Sequence, residues 1–185
     1  MLIEDGKGQG YKAEVNSANQ LETRTVQQPR SEWECHNHGT AYVMYFSQAA
    51  ANGAANEVLG YIQNTSEDDL VIDEIGLHIT AANTVYISKV TGTAGGSPTA
   101  VTPVNMNVGS GRTATGTFYK DDSMSGLTDA GRLVNCYLAA NAYLVRTINS
   151  TILIQKNSAI GIFVTTQQSQ TLNCSVLFHY EPAHA

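Results

Sequence analysis

The chain has 185 residues, with 16 acidic against 10 basic side chains, a formal net charge of -6, and 14% charged residues beside 42% hydrophobic ones. That length fits one sizeable core, and the hydrophobic share excludes a disordered tail. The acidic balance, with no basic stripe, excludes a nucleic-acid grip, which needs clustered Lys and Arg.

The first five residues, Met1 to Asp5, have neither the basic nor the apolar segment that directs secretion, and no run approaches the roughly 20 apolar residues of a membrane span. Synthesis in the cytoplasm and no membrane partner are the expectation. Residues 1–30 differ from the rest. Gly6-Lys7-Gly8-Gln9-Gly10 is too polar and flexible for a core, while Tyr11 to Val15 and Leu21 to Val26 hold short strand-like stretches. They are expected to form an extended arm ahead of a domain over 31–185, although Tyr11 to Val26 also reads as the first strand of that domain.

From Thr40 onward, short apolar runs alternate with turn residues, which predicts an all-β domain. Strands are expected at Ala41 to Phe46, Val58 to Gln63, Leu70 to Thr80 and Thr84 to Val90. In the third of these, Val71, Asp73, Ile75, Leu77 and Ile79 share one parity and predict one buried face. Gly92 to Pro98 predicts a turn and Ala114 to Tyr119 another strand. Leu127 to Leu144 fits helical spacing at Leu133, Cys136, Tyr137 and Ala140, but its strand-rich neighbours favour β. Thr151 to Gln155, Ala159 to Thr166 and Thr171 to Tyr180 complete the set, the last two expected as a hairpin through Gln167 to Gln170. The whole reads as an antiparallel β-sandwich, jelly-roll-like, with an extended N-terminal arm.

Gly131 to Tyr180 carries only Arg132, Arg146 and Lys156 as charged side chains and no carboxylate. Solvent faces normally carry many Lys and Glu, so uncharged polar faces over this stretch predict strands packed between neighbours.

Catalytic and metal chemistry finds little support. Cys35-His36-Asn37-His38 is the densest group of possible metal ligands, and in an extended strand His36 and His38 would point to one side. A structural zinc still needs a fourth ligand, from His78, His179 or His184, so interface or surface histidines are the expectation and no metal is assigned. Glu67-Asp68-Asp69 with Asp73 and Glu74 lacks EF-hand spacing. Carboxylates for glycoside hydrolysis exist at Glu4, Asp5, Glu57, Asp121, Asp122 and Asp129, but no spacing singles out a pair. The nucleophile elbow and the phosphate-binding glycine fingerprints are absent. Cys35, Cys136 and Cys174 predict buried reduced thiols. No catalytic residue or cofactor is expected.

Ile3-Glu4-Asp5-Gly6 with Gly8, Gly10, Ala13, Val15-Asn16 and Leu21, and in the middle of the chain Thr102-Pro103-Val104-Asn105-Met106-Asn107-Val108-Gly109-Ser110-Gly111, resemble two signatures of a group of tailed-bacteriophage structural proteins. With the strand rhythm between them, the resemblance covers most of the chain. It implies a capsid decoration (cement) or minor head protein on the outer surface of the virion, bound to the major capsid protein and self-associating, often as a homotrimer. It also implies partner-binding roles for an arm including Leu2, Ile3, Glu4, Asp5, Gly6, Gly8, Gly10 and Tyr11. An inter-subunit loop is implied at Pro103, Asn105, Asn107, Gly109, Ser110 and Gly111, tightly hydrogen-bonded with its glycines at positive φ, with an ordinary long loop on the outer surface as the equal alternative. Two alternatives stand beside it: another non-enzymatic virion component of the tail, neck or head-fibre base, and a lectin-like sandwich binding host surfaces, for which Trp33, Tyr42 and Tyr45 are the nearest aromatic group. Trp33 itself is expected as a lid over the core.

Overall fold

The computed structural model describes residues 3–4, 12–13, 30–50, 56–166 and 169–183. The strands are β1 (Ile3–Glu4), β2 (Lys12–Ala13), β3 (Ala41–Ala50), β4 (Glu57–Asn64), β5 (Asp69–Ile79), β6 (Asn83–Gly95), β7 (Thr99–Ala100), β8 (Val104–Asn105), β9 (Gly116–Lys120), β10 (Ser125–Leu138), β11 (Tyr143–Ile154), β12 (Ala159–Val164) and β13 (Gln170–Glu181). One helix, α1, runs from Arg30 to Asn37.

Two antiparallel sheets pack face to face as a β-sandwich. One has six strands in the order β10-β6-β12-β4-β9-β7, the other five in the order β11-β5-β13-β3-β8. Alternation builds the core between them. Met44, Phe46, Leu172, Cys174, Val176 and Phe178 point inward from the five-stranded sheet and meet Leu59, Ile62, Ile87, Phe118 and Ile162 from the six-stranded one. Each large apolar side chain removed from water contributes about 1.5 to 3 kcal/mol, so this seam dominates stability.

Leu127 to Leu144 is strand, turn and strand, as its neighbours predicted; of the four residues at helical spacing only Cys136 points inward, in period-two step with Val134 and Leu138, while Leu133, Tyr137 and Ala140 are exposed. Three expectations change. First, β5 does not keep one parity. Pairing with β13 slips between Ile72 and Glu74, so Leu70 and Ile72 face the core before the bulge, and Ile75, Leu77 and Ile79 after it. An extra residue in one strand reverses the alternation, and Val71 and Asp73 therefore lie on the outer face.

Second, β12 and β13 are not a hairpin: they belong to different sheets, and the chain crosses the sandwich between them. Buried Asn83 fastens the exit of β12, accepting from the Thr165 hydroxyl at 3.0 Å and the Thr166 amide at 3.2 Å while its own amide donates to the Thr166 carbonyl at 3.2 Å. Third, Trp33 and the Cys35 to His38 segment belong to helix and its C-terminal turn rather than to a strand, so His36 and His38 do not share a strand face.

A second apolar cluster lies on the outer face of the six-stranded sheet. β9 and β10 sit far apart in that sheet, so the residues joining them cross its outer face, and Met124 and Leu127 pack on Val58, Tyr61, Tyr86 and Phe163. Asp121 shapes the crossing by accepting from the Ser123 amide at 2.8 Å and hydroxyl at 2.6 Å, bonds that lower its carboxyl below the usual aspartate value.

Candidate docking surface

The outer face of the five-stranded sheet has two ends with opposite chemistry. At one end α1 lies against β3 and β13 over a row of charged groups. His179 is fully buried, its Nδ1 2.7 Å from Asp73 Oδ2 and its Nε2 2.9 Å from Glu181 Oε1. Glu181 continues to Arg30 Nε at 3.3 Å, and Arg30 Nη2 reaches Glu34 Oε1 at 2.9 Å. Glu34 Oε2 then meets His38 Nδ1 at 2.7 Å and accepts from the Thr40 hydroxyl at 2.9 Å. Residues of β5, β13, α1 and the α1–β3 turn are thereby tied into one ladder.

Both ring nitrogens of His179 face carboxylate oxygens, so both must donate, and only the imidazolium has two N–H groups. Burial by itself would lower the His179 pKa, but the hydrogen bonds and charges of Asp73 and Glu181 outweigh it and raise the value above 6.5. Trp33 is not a lid over the core. It is 36% exposed on α1, with the Arg30 guanidinium 4.8 Å from its ring centre and the His38 ring edge-on at 4.6 Å. Among the described residues, no group of three or more His, Cys, Asp or Glu side chains is arranged to hold a metal. Cys35, Cys136 and Cys174 are free and buried, and burial pushes the Cys174 thiol well above its ordinary value.

The other end of the face is bare. Cross-strand pairing sets Tyr45, Ser175, Gly76 and Val145 in one row and Ser47, Asn173, His78 and Tyr143 in the next. No Lys, Arg, Asp or Glu occurs in either row. Asn173 accepts from the Tyr45 hydroxyl at 3.4 Å, and its amide nitrogen lies 3.1 Å from His78 Nδ1. A Cβ at Gly76 would come within 2.4 Å of the Ser175 hydroxyl and 3.4 Å of the Tyr143 hydroxyl, so glycine is what lets these groups lie flat across the sheet. Tyr45 is 61% exposed and Tyr143 69%. Rigid tyrosines set among Ser and Asn give contact area at low entropic cost, a composition typical of binding faces.

The two flanks of the sandwich also differ. On one, the long edge strands β10 and β11 follow each other in the chain and expose Leu133, Tyr137, Tyr143, Val145 and Leu153. On the other, the edges are the two-residue β7 and β8, from which the 103–111 segment continues. That segment is stitched to its surroundings. Asn105 donates to the Gly39 carbonyl at 2.8 Å, Asn107 donates to the Cys35 carbonyl at 3.3 Å, and the Asn107 carbonyl accepts from the Ser110 amide at 2.8 Å. Gly109 and Gly111 do not adopt positive φ; the left-handed residue is Gly39, φ 63°, where a Cβ would meet the Ser110 hydroxyl at 2.8 Å. Pro103 is half-buried, while Val104, Met106 and Val108 point to solvent, Val108 at 95% exposure.

Of the arm, Ile3 and Glu4 pair with Ala13 and Lys12 as a two-residue ladder. Leu2, Asp5, Gly6, Gly8, Gly10 and Tyr11 lie outside the described residues. The arm leads into α1, whose first residue, Arg30, is the hinge pin of the charged ladder. Sequence reasoning named Tyr45 but missed Tyr143, Val145, Asn173 and Ser175. Their alternation with inward residues was visible, but which strands lie side by side was not.

In comparison with known proteins, no family model, curated protein or solved structure matches this chain.

Proposed function

We propose that this chain is a non-enzymatic structural component of a tailed-phage particle, a decoration protein that sits on the outer surface of the head, bridges major capsid protein subunits and associates with its own copies. The observation that carries this reading is the bare end of the five-stranded sheet, tyrosine-bearing, with no charged side chain in either of its rows and one ammonium, that of Lys120 from β9, at its margin on the Ser47 carbonyl. A face of that kind can be covered by another protein without the desolvation cost that buried ions impose. The resemblance at Ile3 to Gly10 and at Thr102 to Gly111 supplies the setting.

Unlike flanks favour a head-to-tail contact. The long β10–β11 edge and the Val108-tipped segment lie on opposite sides of the sandwich, so one copy's edge meeting the next copy's loop gives a heterologous interface, which closes into a ring when the rotation allows. A homotrimer is the smallest such ring beyond a pair. The arm extends the attachment by adding main-chain hydrogen bonds to a sheet edge of a neighbour, with Tyr11 as an anchor. Several modest contacts per molecule, multiplied over a ring, raise the free energy of separating shell subunits.

Light scattering on the purified chain and co-sedimentation with expanded empty heads test the proposal. The expected outcome is a trimer that binds expanded heads at high copy number and ignores the unexpanded precursor. Deleting residues 1–26 should leave the fold intact and strongly weaken head binding. A lone monomer without affinity for heads overturns the reading.

A further inference from the structure

The two packed sheets have four edge strands, and three of them are guarded. β7 and β8 are two residues long, and β10 pairs with β6 through three register shifts and carries Asp129 and Arg132. Short edges, bulges and charges are the devices that stop a foreign strand from adding to a sheet. The first half of β11 has almost none of them. From Tyr143 to Thr147 it pairs with β5 in unbroken register at the edge of its sheet, and it bears one charged side chain, Arg146. Among the described residues no carboxylate meets Arg146, whose guanidinium reaches the Cys136 sulfur at 3.7 Å. A lone arginine on an otherwise open edge selects an incoming strand that brings a carboxylate opposite it.

The chain itself holds such a strand. Leu21 to Val26 alternates Leu21, Thr23 and Thr25 with Glu22, Arg24 and Val26, and it belongs to residues 14–29, which lie outside the described residues and end at Arg30. We propose that the Tyr143–Thr147 edge of β11 receives Leu21 to Val26 of a neighbouring copy as an added antiparallel strand, an inference that rests on the assembly reading and gives its arm a seat. With Glu22 opposite Arg146, Leu21, Thr23 and Thr25 fall beside Thr147, Val145 and Tyr143 and carry the bare outer face one strand further. Arg24 falls beside half-buried Leu144, where its stem covers apolar surface and its head stays in water. A slip of one residue would turn Glu22 and Arg24 onto the uncharged face, so the pattern fixes the register.

Reach decides whose arm it is. Glu181, which meets Arg30 at 3.3 Å, pairs with Asp69, and Tyr143 pairs with His78, so in this register Thr25 sits about 30 Å along β5 and about 14 Å across from Glu181. The chain from Thr25 to Arg30 spans at most about 18 Å. A copy therefore offers its own β11 to the next copy's arm, and main-chain hydrogen bonds supply the affinity.

Cysteine cross-linking of the full chain tests the pairing. Copies carrying Thr23→Cys are mixed with copies carrying Val145→Cys and oxidised; residues opposite each other in an antiparallel ladder lie about 4.5 to 5.5 Å apart at Cα, a span that a disulfide bridges. A dimer joined between positions 23 and 145 is expected. Arg146→Glu should weaken self-association about fivefold or more with the melting temperature kept, and Glu22→Arg in the same chain should restore it. Association without the 23–145 cross-link, a cross-link closing within one diluted chain that carries both cysteines, or no rescue by the charge exchange would overturn the pairing and leave the assembly reading in place. A chain that neither associates nor binds heads would overturn both.

Discussion

The two ends of the five-stranded sheet's outer face solve the same problem in opposite ways. At the α1 end the chain covers its own sheet, and it buries charge in doing so: Asp73, His179, Glu181, Arg30 and Glu34 each meet an opposite partner within 3.3 Å. At the Tyr45–Tyr143 end the tyrosines stand open to solvent, and neither row carries a charged side chain, the Lys120 ammonium of β9 reaching only the Ser47 carbonyl at the margin. A face kept in water has no need to shed Lys and Glu. The difference teaches that the bare end is built for cover from outside, whereas the clamped end holds its ions because their partners come with the same chain.

The largest expected effect breaks the clamped end. His179→Ala leaves Asp73 and Glu181 as facing carboxylates with their shared cation removed, and truncating one member of a buried ionic pair typically costs about 3 to 5 kcal/mol. Denaturant unfolding should show that loss, with head binding retained in whatever fraction remains folded. An unfolding midpoint equal to that of the unmodified chain would mean that α1 is held by something other than the ladder.

The bare end is broken with a smaller energetic effect and a larger functional one. Tyr45→Glu combined with Tyr143→Glu puts charges on positions already in solvent, so stability should stay within about 0.5 kcal/mol. If the face is covered by a neighbour, each buried carboxylate opposes association, and losing a tyrosine anchor alone is worth about 2 kcal/mol or more at a binding hot spot. Light scattering should shift toward monomer. Retained self-association and retained head binding together would show that this face is solvent-exposed in the particle.

The sequence made the sandwich legible because its strands alternate, but one of its strongest signals had a double source. The scarcity of charge from Gly131 to Tyr180 marks packing between copies only in part. Much of it belongs to β12 and β13, which run through the interiors of the two sheets: all of Ala159 to Val164 is buried by this chain alone. Only β10, β11 and the outward Asn173 and Ser175 keep the intermolecular interpretation. α1 stayed hidden because Arg30 to Asn37 has little apolar periodicity; its amphipathic side is the buried Glu34 and Cys35, and a glutamate does not advertise burial. The bulge at Asp73 was equally silent, since a shift of one residue leaves composition untouched while it moves Asp73 from the expected core face to His179. Glu57 and Asp122 could be named but not grouped, because they come together only through the pairing of β4 with β9 and the crossing that follows.

The smallest effect separates the two ends by pH. His179 is faced by Asp73 from β5 and Glu181 from its own strand, with Arg30, Glu34 and His38 beyond them on α1 and its C-terminal turn. Its folded pKa is raised above the ordinary 6.5, so the folded state holds this proton more tightly than the unfolded chain does. The resulting stabilisation is fully present below about pH 6.5 and is lost as the pH rises through the raised value. Loss of one proton leaves the Arg30 pairs with Glu181 and Glu34 standing, so the helix should loosen without detaching. Amide exchange, corrected for the intrinsic effect of pH, should show protection falling across Arg30 to Asn37 on the alkaline side and holding steady in the β13 amides around Asn173 and Ser175. Protection lost equally at both places would point to global unfolding, and the clamp would then not be the pH-sensitive part of this face.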